Sequence, residues 1–448
     1  MHSSNDAVAS PAGHVAPAAP TSYADEAQAV GWLRTERLLA LVVTVVVAAR
    51  IELLPQILLT LGDVLVIGLA PIWLPITRRY LGARGAIFLG LAAVLFGALL
   101  TLFAAADHEV RRGQLVSMTV LMLAVLGGFG FLLWAREKIG VGAVVVAFGV
   151  GQLLGVSRDN ALYASNPWRF GFSVAVTVLV LGLTHLWRRR GVELVAVVVL
   201  TLVSALTGAR SSFAILLLTA AILAWQLRPR MASGRSSAAR GVLGLAVLAA
   251  LAYNVGQVLI LDGYLGAATQ QRSEDQVNQS GSLILGGRPE LTATIALMRD
   301  HPWGYGSGTI PNLHDIMVAK AGMSAINYDP NNGYVENYMF GNGYSLHSVV
   351  GELWALFGLV GVAFALLVLA LVLRRLGHAV TSSTASAIVL YLSLKTLWNF
   401  LFAPWYSALA ILMLTLALVV AWRRPTPADA GSGEEPEVVT ADLRAPAP

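Results

Sequence analysis

The stretch "NNGYVENYMFGNGYSLHSVVGELWALFGLVG" begins at Asn331, wet and rich in Tyr and Asn, and turns apolar immediately after His347. A histidine at that boundary can meet a membrane-borne group and a water-borne group at once. Its ordinary pKa near 6.5 leaves a neutral imidazole free to take a proton from a hydroxyl at near-neutral pH. Tyr328, Tyr334, Tyr338 and Tyr344 precede it, with Asn327, Asn331, Asn332, Asn337 and Asn342. Aromatic faces stack on sugar C–H surfaces and amides pair with hydroxyls, so this composition suits a carbohydrate. Asn and Gly also mark turns, and a turn-rich loop is the other reading. Glu352, about one helical turn beyond His347, is placed either to orient the imidazole or to pack.

Two arginines complete the set. Arg210 lies in "LTGARSSFAILLL". Gly208 permits a turn, and Ser211 and Ser212 lead into a new apolar helix. Small hydroxyls and free N–H groups at a helix N-terminus bind anions, and an adjacent guanidinium reinforces the site. The alternative is an interfacial arginine reaching for headgroups. Arg288 lies in "LGGRPELTATIALMRDHPWGYGSGT", again just ahead of a helix, with Pro289 suited to its first turn. For Arg288 the other reading is a solvated loop arginine, which loses weight because the loop is so poor in charge.

Several chemistries are excluded. With no cysteine in the chain, disulfides, thiolate nucleophiles and Cys-ligated metals are ruled out. No DxD pair or Walker lysine motif occurs, so neither a metal-held nucleotide sugar nor a P-loop is indicated. "HPWGYGSG" does not follow a strand in a βαβ unit and is read as a tight turn closing a short helix, not a dinucleotide fingerprint. The expectation is no metal, no cofactor and no nucleic-acid partner. Asp63 and Lys395 lie inside apolar runs, where a hydrogen-bonding role and a catalytic one are both open.

The elements that must position these residues are membrane helices. Of 448 residues, 56% are hydrophobic and 12% charged, about half the charge of a soluble domain. The mean hydropathy is +0.69. Apolar runs long enough to span a bilayer recur throughout, predicting an all-α polytopic membrane protein of about twelve helices. The spans fall near 33–49, 57–76, 85–105, 114–134, 139–155, 168–187, 192–207, 212–225, 242–261, 348–373, 383–400 and 406–422. Arginines crowd "TRRYLGAR", "AREK", "WRRRG", "RPRMASGRSSAAR", "RRLGH" and "WRRP". By the positive-inside rule these connections, and both chain ends, are cytoplasmic. The organisation expected is therefore a tail over 1–30, nine spans over 31–262, an extracytoplasmic catalytic loop over 263–346, three spans over 347–422 and a second tail over 423–448. A loop this long is expected to be folded and functional.

The segments "LTGARSSFAILLL", "GGRPELTATIALMRDHPWGYGSGT" and "HSVVGELWALFGLVGVAFALLVL" resemble, in that order, the three blocks of the O-antigen ligase and polymerase superfamily. Its members read like "TGSRG" at a helix start, "GR…W…A…HPxxGxGxG" in the loop and "HNxxLExxxxxGxxG" opening the next helix. The likeness covers roughly residues 205–375. Ala209 stands where a serine is usual, Thr292 or Thr294 near the place of a tryptophan, and Ser348 at the common asparagine. The resemblance implies an inverting, metal-independent glycosyltransferase of the membrane-embedded C type in the bacterial cytoplasmic membrane. Its donor would be a glycan on a polyprenyl diphosphate and its acceptor a glycan or glycolipid hydroxyl. Arg210 and Arg288 would then hold the diphosphate, and His347 would stand at the attacking hydroxyl, with Glu352, Tyr344 and Ser211 as secondary candidates. The blocks do not separate ligase from repeat-unit polymerase. A flippase or transporter, or a cell-wall polymerase of the related shape-and-division type, are the remaining alternatives.

Overall fold

A computed structural model describes residues 23–159, 161–227, 271, 288–341, 343–382 and 384–423. The expected span over 242–261, most of the first half of the long loop and the chain ends lie outside the described residues. The described chain is mostly helical. Its helices are α1 (Tyr23–Ala49), α2 (Leu61–Gly68), α3 (Ala70–Trp73), α4 (Ala83–Ala104), α5 (Arg112–Leu154), α6 (Ala161–Ser165), α7 (Ser173–Leu186), α8 (Arg190–Leu206), α9 (Arg210–Gln226), α10 (Glu290–Asp300), α11 (Leu313–Ser324), α12 (Val349–Thr381), α13 (Ala387–Phe402) and α14 (Trp405–Val419). Two short antiparallel strands, β1 (Glu52–Leu54) and β2 (Leu59–Thr60), form a small hairpin.

Among the described residues, four stretches are long and apolar enough to cross a membrane: α4, α5, Trp168–Leu186 and α12. A fifth arises if α2 and the segment Ala70–Arg79 count as one bent span. α9, α13 and α14 are apolar but shorter. A helix of 16 residues, such as α13, rises about 24 Å against a hydrocarbon core of about 30 Å. The outer faces are greasy. On α4, Phe88, Leu95, Leu102 and Phe103 are 68–77% exposed, one face of an apolar helix offered to lipid rather than water. The protein is membrane-embedded on this ground.

Particular residues set where the expected spans bend or break. The continuous helix expected over 57–76 is instead a hairpin followed by two helical pieces bent by 56°. Pro71 opens the second piece and Pro75 the turn after it, because neither ring can donate to a continuing ladder. Asp63 belongs to this region and serves its structure. With Thr60 it forms a reciprocal cap at the start of α2, the bonds being 3.0 and 3.3 Å. The expected spans over 114–134 and 139–155 are two helical pieces of α5 that meet at Gly140, whose φ of 80° and ψ of 160° break the helix between them. Before the break, every residue from Ala124 to Ala135 is buried; a helix apolar all round belongs in the middle of a bundle. Much of α14 is buried with it.

The two ends of the bundle differ in composition. At one end Tyr80 bridges to Trp422, Arg423 N–H donates to the Arg79 carbonyl at 2.7 Å, and Arg136 donates to the carbonyls of Ala417 and Val420. At the other end, residues 288–346 fold into a cap with its own apolar core, which includes Leu297, Tyr305, Met323, Val335, Met339 and Tyr344. Short bonds tie the cap to α4 and α5: Arg111 N–H to the Gly308 carbonyl (2.9 Å), Ile310 N–H to the Glu109 carbonyl (2.9 Å) and Gly308 N–H to Thr101 Oγ1 (3.0 Å).

Candidate functional site

His347 is the last residue but one before α12, and the chain is strained there. Its φ is +51°, a left-handed conformation that costs a non-glycine residue about 1–3 kcal/mol and persists only where neighbours enforce it. Glu352 enforces it. One carboxylate oxygen accepts the His347 backbone N–H at 3.1 Å and the other accepts the Trp405 N–H at 2.8 Å. Glu352 thus binds the backbone on either side of the site and not the imidazole, which corrects the ring-orienting role offered by the sequence. Ser348 caps α12 through Gly351 N–H and donates to the Phe400 carbonyl at 2.8 Å. A serine in this position therefore fastens the start of α12 to the end of α13.

The imidazole has a defined tautomer and a covered face. Nδ1 lies 3.2 Å from the Ser345 carbonyl oxygen, which can only accept, so Nδ1 carries the hydrogen and Nε2 the lone pair. Tyr338 stacks on the ring with centroids 4.5 Å apart. Burial pushes the His347 pKa below its ordinary value, against the nearby Glu290 carboxylate and the Ser345 carbonyl, while Arg288 lowers it further. The ring is held neutral with Nε2 as its proton acceptor.

Arg288 stands at the entrance to α10, and its guanidinium lies 5.7 Å from the centroid of the Phe402 ring. Its charge acts on both His347 and Lys395. Lys395 lies two helical turns before Phe402 on α13, with Asn399 between them on the same face. Among the described residues neither Arg288 nor Lys395 has a carboxylate within ion-pairing distance, nor does Lys395 make a hydrogen bond. Two cations close together without a counter-ion are held together poorly unless an anion joins them.

Arg210 opens α9 at the same end of the bundle. α8 begins beside α13, where Glu193 accepts the Ala387 N–H at 2.9 Å, and α8 has 17 residues to the 16 of α13. A tight turn follows α8. Gly208 makes it with φ +67°, and Asn166 fastens it by donating to the Thr207 carbonyl at 2.7 Å. Arg210 and Ser211 form the first turn of α9, both half-buried.

The structure adds one residue that sequence reasoning missed. Glu290, in the first turn of α10, is buried; Tyr334 donates its hydroxyl to one carboxylate oxygen, and the other is buried without a hydrogen-bond partner among the described residues. Burial, then Glu290, raise the Tyr334 pKa, so this phenol stays a donor. An acidic residue in a first turn is ordinary helix chemistry, so nothing in the sequence marked this one. Tyr344, by contrast, belongs to the cap's framework. It is buried, donates to Asp315 at 2.7 Å and stacks on Tyr305 at 4.3 Å.

The "HPWGYGSG" turn is a clamp. α12 breaks at Gly358, with φ 59° and ψ −149°, and the Ala355 carbonyl accepts Tyr305 N–H (2.8 Å) and Gly306 N–H (3.0 Å). Gly304 and Gly306 both take positive φ, and a Cβ on either would lie 2.4 Å from neighbouring backbone. The glycines are there for close approach of cap to helix. Among the described residues no group of three His, Asp or Glu side chains could hold a metal ion.

No protein-family model, curated protein or solved structure matches this chain.

Proposed function

We propose that the protein is a membrane-embedded inverting glycosyltransferase. It transfers a glycan from a polyprenyl diphosphate to an acceptor hydroxyl at the outer face of the bacterial cytoplasmic membrane, in the manner of the O-antigen ligases its sequence resembles. The full chain would span the bilayer about twelve times with both ends cytoplasmic and the cap outside. The observation that carries this reading is the neutral His347, its Nε2 a proton acceptor, beside Arg288, a cation with no carboxylate partner among the described residues, at the foot of the cap. The rest of the site is consistent with it: a second arginine at the N-terminus of α9, apolar helix faces for a prenyl chain, and aromatic and amide groups for sugars.

In the proposed reaction the acceptor oxygen attacks the anomeric carbon from the face opposite the diphosphate. The new glycosidic C–O bond forms as the bond between that carbon and the diphosphate oxygen breaks. The acceptor's proton passes to His347 Nε2, and the imidazolium so formed is stabilised by the Glu290 carboxylate. Negative charge grows on the leaving diphosphate, where Arg288 and Arg210 stabilise it, with Lys395 as a third cation towards the lipid. Such preorganised charge is worth most where water is scarce.

The test is transfer from a lipid-linked glycan donor to an acceptor in proteoliposomes. A new glycosidic bond with inverted anomeric configuration is the expected product. Movement of the donor lipid between leaflets without bond formation would instead mark a flippase and overturn the reading. Product length then divides the class, since one transfer to a different acceptor means ligase and repeated addition means polymerase.

A further inference from the structure

The end of the bundle away from the cap carries more cations than its carboxylates meet. There α4 begins against α12: a Cβ on Gly82 would lie 2.8 Å from the Leu371 side chain, and one on Gly85 3.6 Å from Leu367. Arg374 and Arg375 stand one turn beyond Leu371 on the same side of α12. A second path leads to the same place. Tyr80, just ahead of Gly82, has the Arg136 guanidinium 4.5 Å from its ring centroid, and the charge of Arg136 acts on Arg375.

Arg136 bonds helix carbonyls and Arg79 pairs with Glu137. Arg375 is half-buried and makes no hydrogen bond or ion pair among the described residues. Of its nitrogens only Nε is shut off from solvent, so the fork of Nη1 and Nη2 is at the surface. Arg84 and Arg374 are exposed beside it, also without a carboxylate among the described residues. The second observation is what these cations border. Arg84, Phe88, Leu91, Leu95 and Leu102 recur at helical spacing along one face of α4, and all are exposed. That stripe is apolar along the membrane and ends in a cation at the arginine end. Leu366 and Leu373 continue the exposed apolar surface on α12.

We infer that the arginine end of the α4–α12 seam is a binding site for an anionic phospholipid of the surrounding leaflet. The Arg375 fork takes the phosphodiester, whose paired oxygens match two parallel N–H groups. Arg84 and Arg374 flank it, and an acyl chain lies along the α4 stripe. A zwitterionic lipid would bring its own ammonium against three guanidinium groups, whereas a lipid of net negative charge meets them without repulsion. The site therefore selects by headgroup charge. The inference is independent of the proposed transferase.

The test is native mass spectrometry of the full-length protein in detergent, titrated with phosphatidylglycerol or with phosphatidylcholine of the same acyl chains. Phosphatidylglycerol should bind about tenfold more tightly, and Arg375→Gln should abolish that preference. Arg84→Gln, at an exposed position, should reduce it about fivefold. Arg37→Gln removes the same charge from an exposed position on α1 and should change it by less than about twofold. Thermal unfolding in phosphatidylcholine nanodiscs checks that Arg375→Gln is folded. If it is not, Arg375→Lys, which keeps the charge and loses the fork, should lower the preference about fivefold. No preference in the wild type, or equal small losses from Arg375, Arg84 and Arg37, would mean diffuse attraction at most and overturns the site. Displacement of phosphatidylglycerol by excess inorganic phosphate would make the ligand a free phosphate and overturns the lipid assignment. So would phosphatidylglycerol binding that emerges only when Glu434, Glu435 and Glu437 are changed to Gln, since the acidic tail would then be the occupant.

Discussion

At the arginine end of the bundle, several charges are met within the protein. Arg79 pairs with Glu137 at 3.3 Å, Tyr80 donates to the same carboxylate at 3.0 Å, Arg136 bonds two helix carbonyls, and Lys138 meets Glu36 at 2.7 Å. Arg375, whose buried Nε lacks a partner among the described residues, is an exception. At the cap end, polar groups are left over. Among the described residues Arg288 and Lys395 have no carboxylate, Glu290 keeps an orphaned oxygen, Trp405 an orphaned N–H, and His347 holds a strained backbone. Groups that complete their own partners hold a structure together. Groups that are desolvated, strained and incomplete are kept at a cost that a bound partner offsets. The contrast teaches where to look for chemistry, and it can be broken by experiment.

The largest effect is expected at His347. His347→Ala should slow transfer about 10²–10⁴-fold with donor affinity nearly intact, because the lost interaction strengthens mainly in the transition state. Retention of the full rate, measured on the purified variant in nanodiscs, would make His347 structural. His347→Gln should recover part of the rate if the ring only positions the hydroxyl, and almost none if it takes the proton.

Arg288 should come next. Arg288→Lys keeps the charge but loses the planar fork and is expected to cost about tenfold, and Arg288→Ala about 10²-fold or more. Binding of a sugar-free polyprenyl diphosphate should weaken in parallel. Unchanged lipid binding by Arg288→Ala would remove the diphosphate role.

Glu290 gives a subtler signature. His347 titrates below its ordinary value, so the neutral base persists as pH falls and the acid limb of kcat/KM should lie below about pH 6.5. The Glu290 carboxylate raises that pKa. Glu290→Gln therefore lowers it further and moves the acid limb to lower pH, with a rate loss of about tenfold at the plateau. An acid limb that stays in place would show that the two groups are uncoupled.

The smallest effect should come from the opposite end. Arg79 is half exposed, and Arg79→Ala is expected to change stability by no more than about 1 kcal/mol and transfer by less than about twofold. A large loss of transfer there would erase the difference between the two ends.

Membrane character was legible in composition alone, because apolar runs and sparse charge leave a chain no other solvent. Helices near most expected positions followed from the same runs, and the punctuation of Gly208, Pro289 and His347 marked where α9, α10 and α12 begin. Helix interruptions were harder to read. Pro71, Pro75 and Gly358 sit inside apolar stretches, and hydropathy cannot tell a span from two bent pieces of it. Partnership was decided by tertiary structure only. The sequence offers Glu352 and Tyr344 as neighbours of His347, yet folding turns one to backbone N–H groups and the other to Asp315. It brings Glu290, far away along the chain, to the imidazole, and sets Lys395 near Arg288. Periodicity records which face of a helix is apolar. Which groups face one another across a cap, and which are left without a partner, depends on contacts between elements distant in the chain.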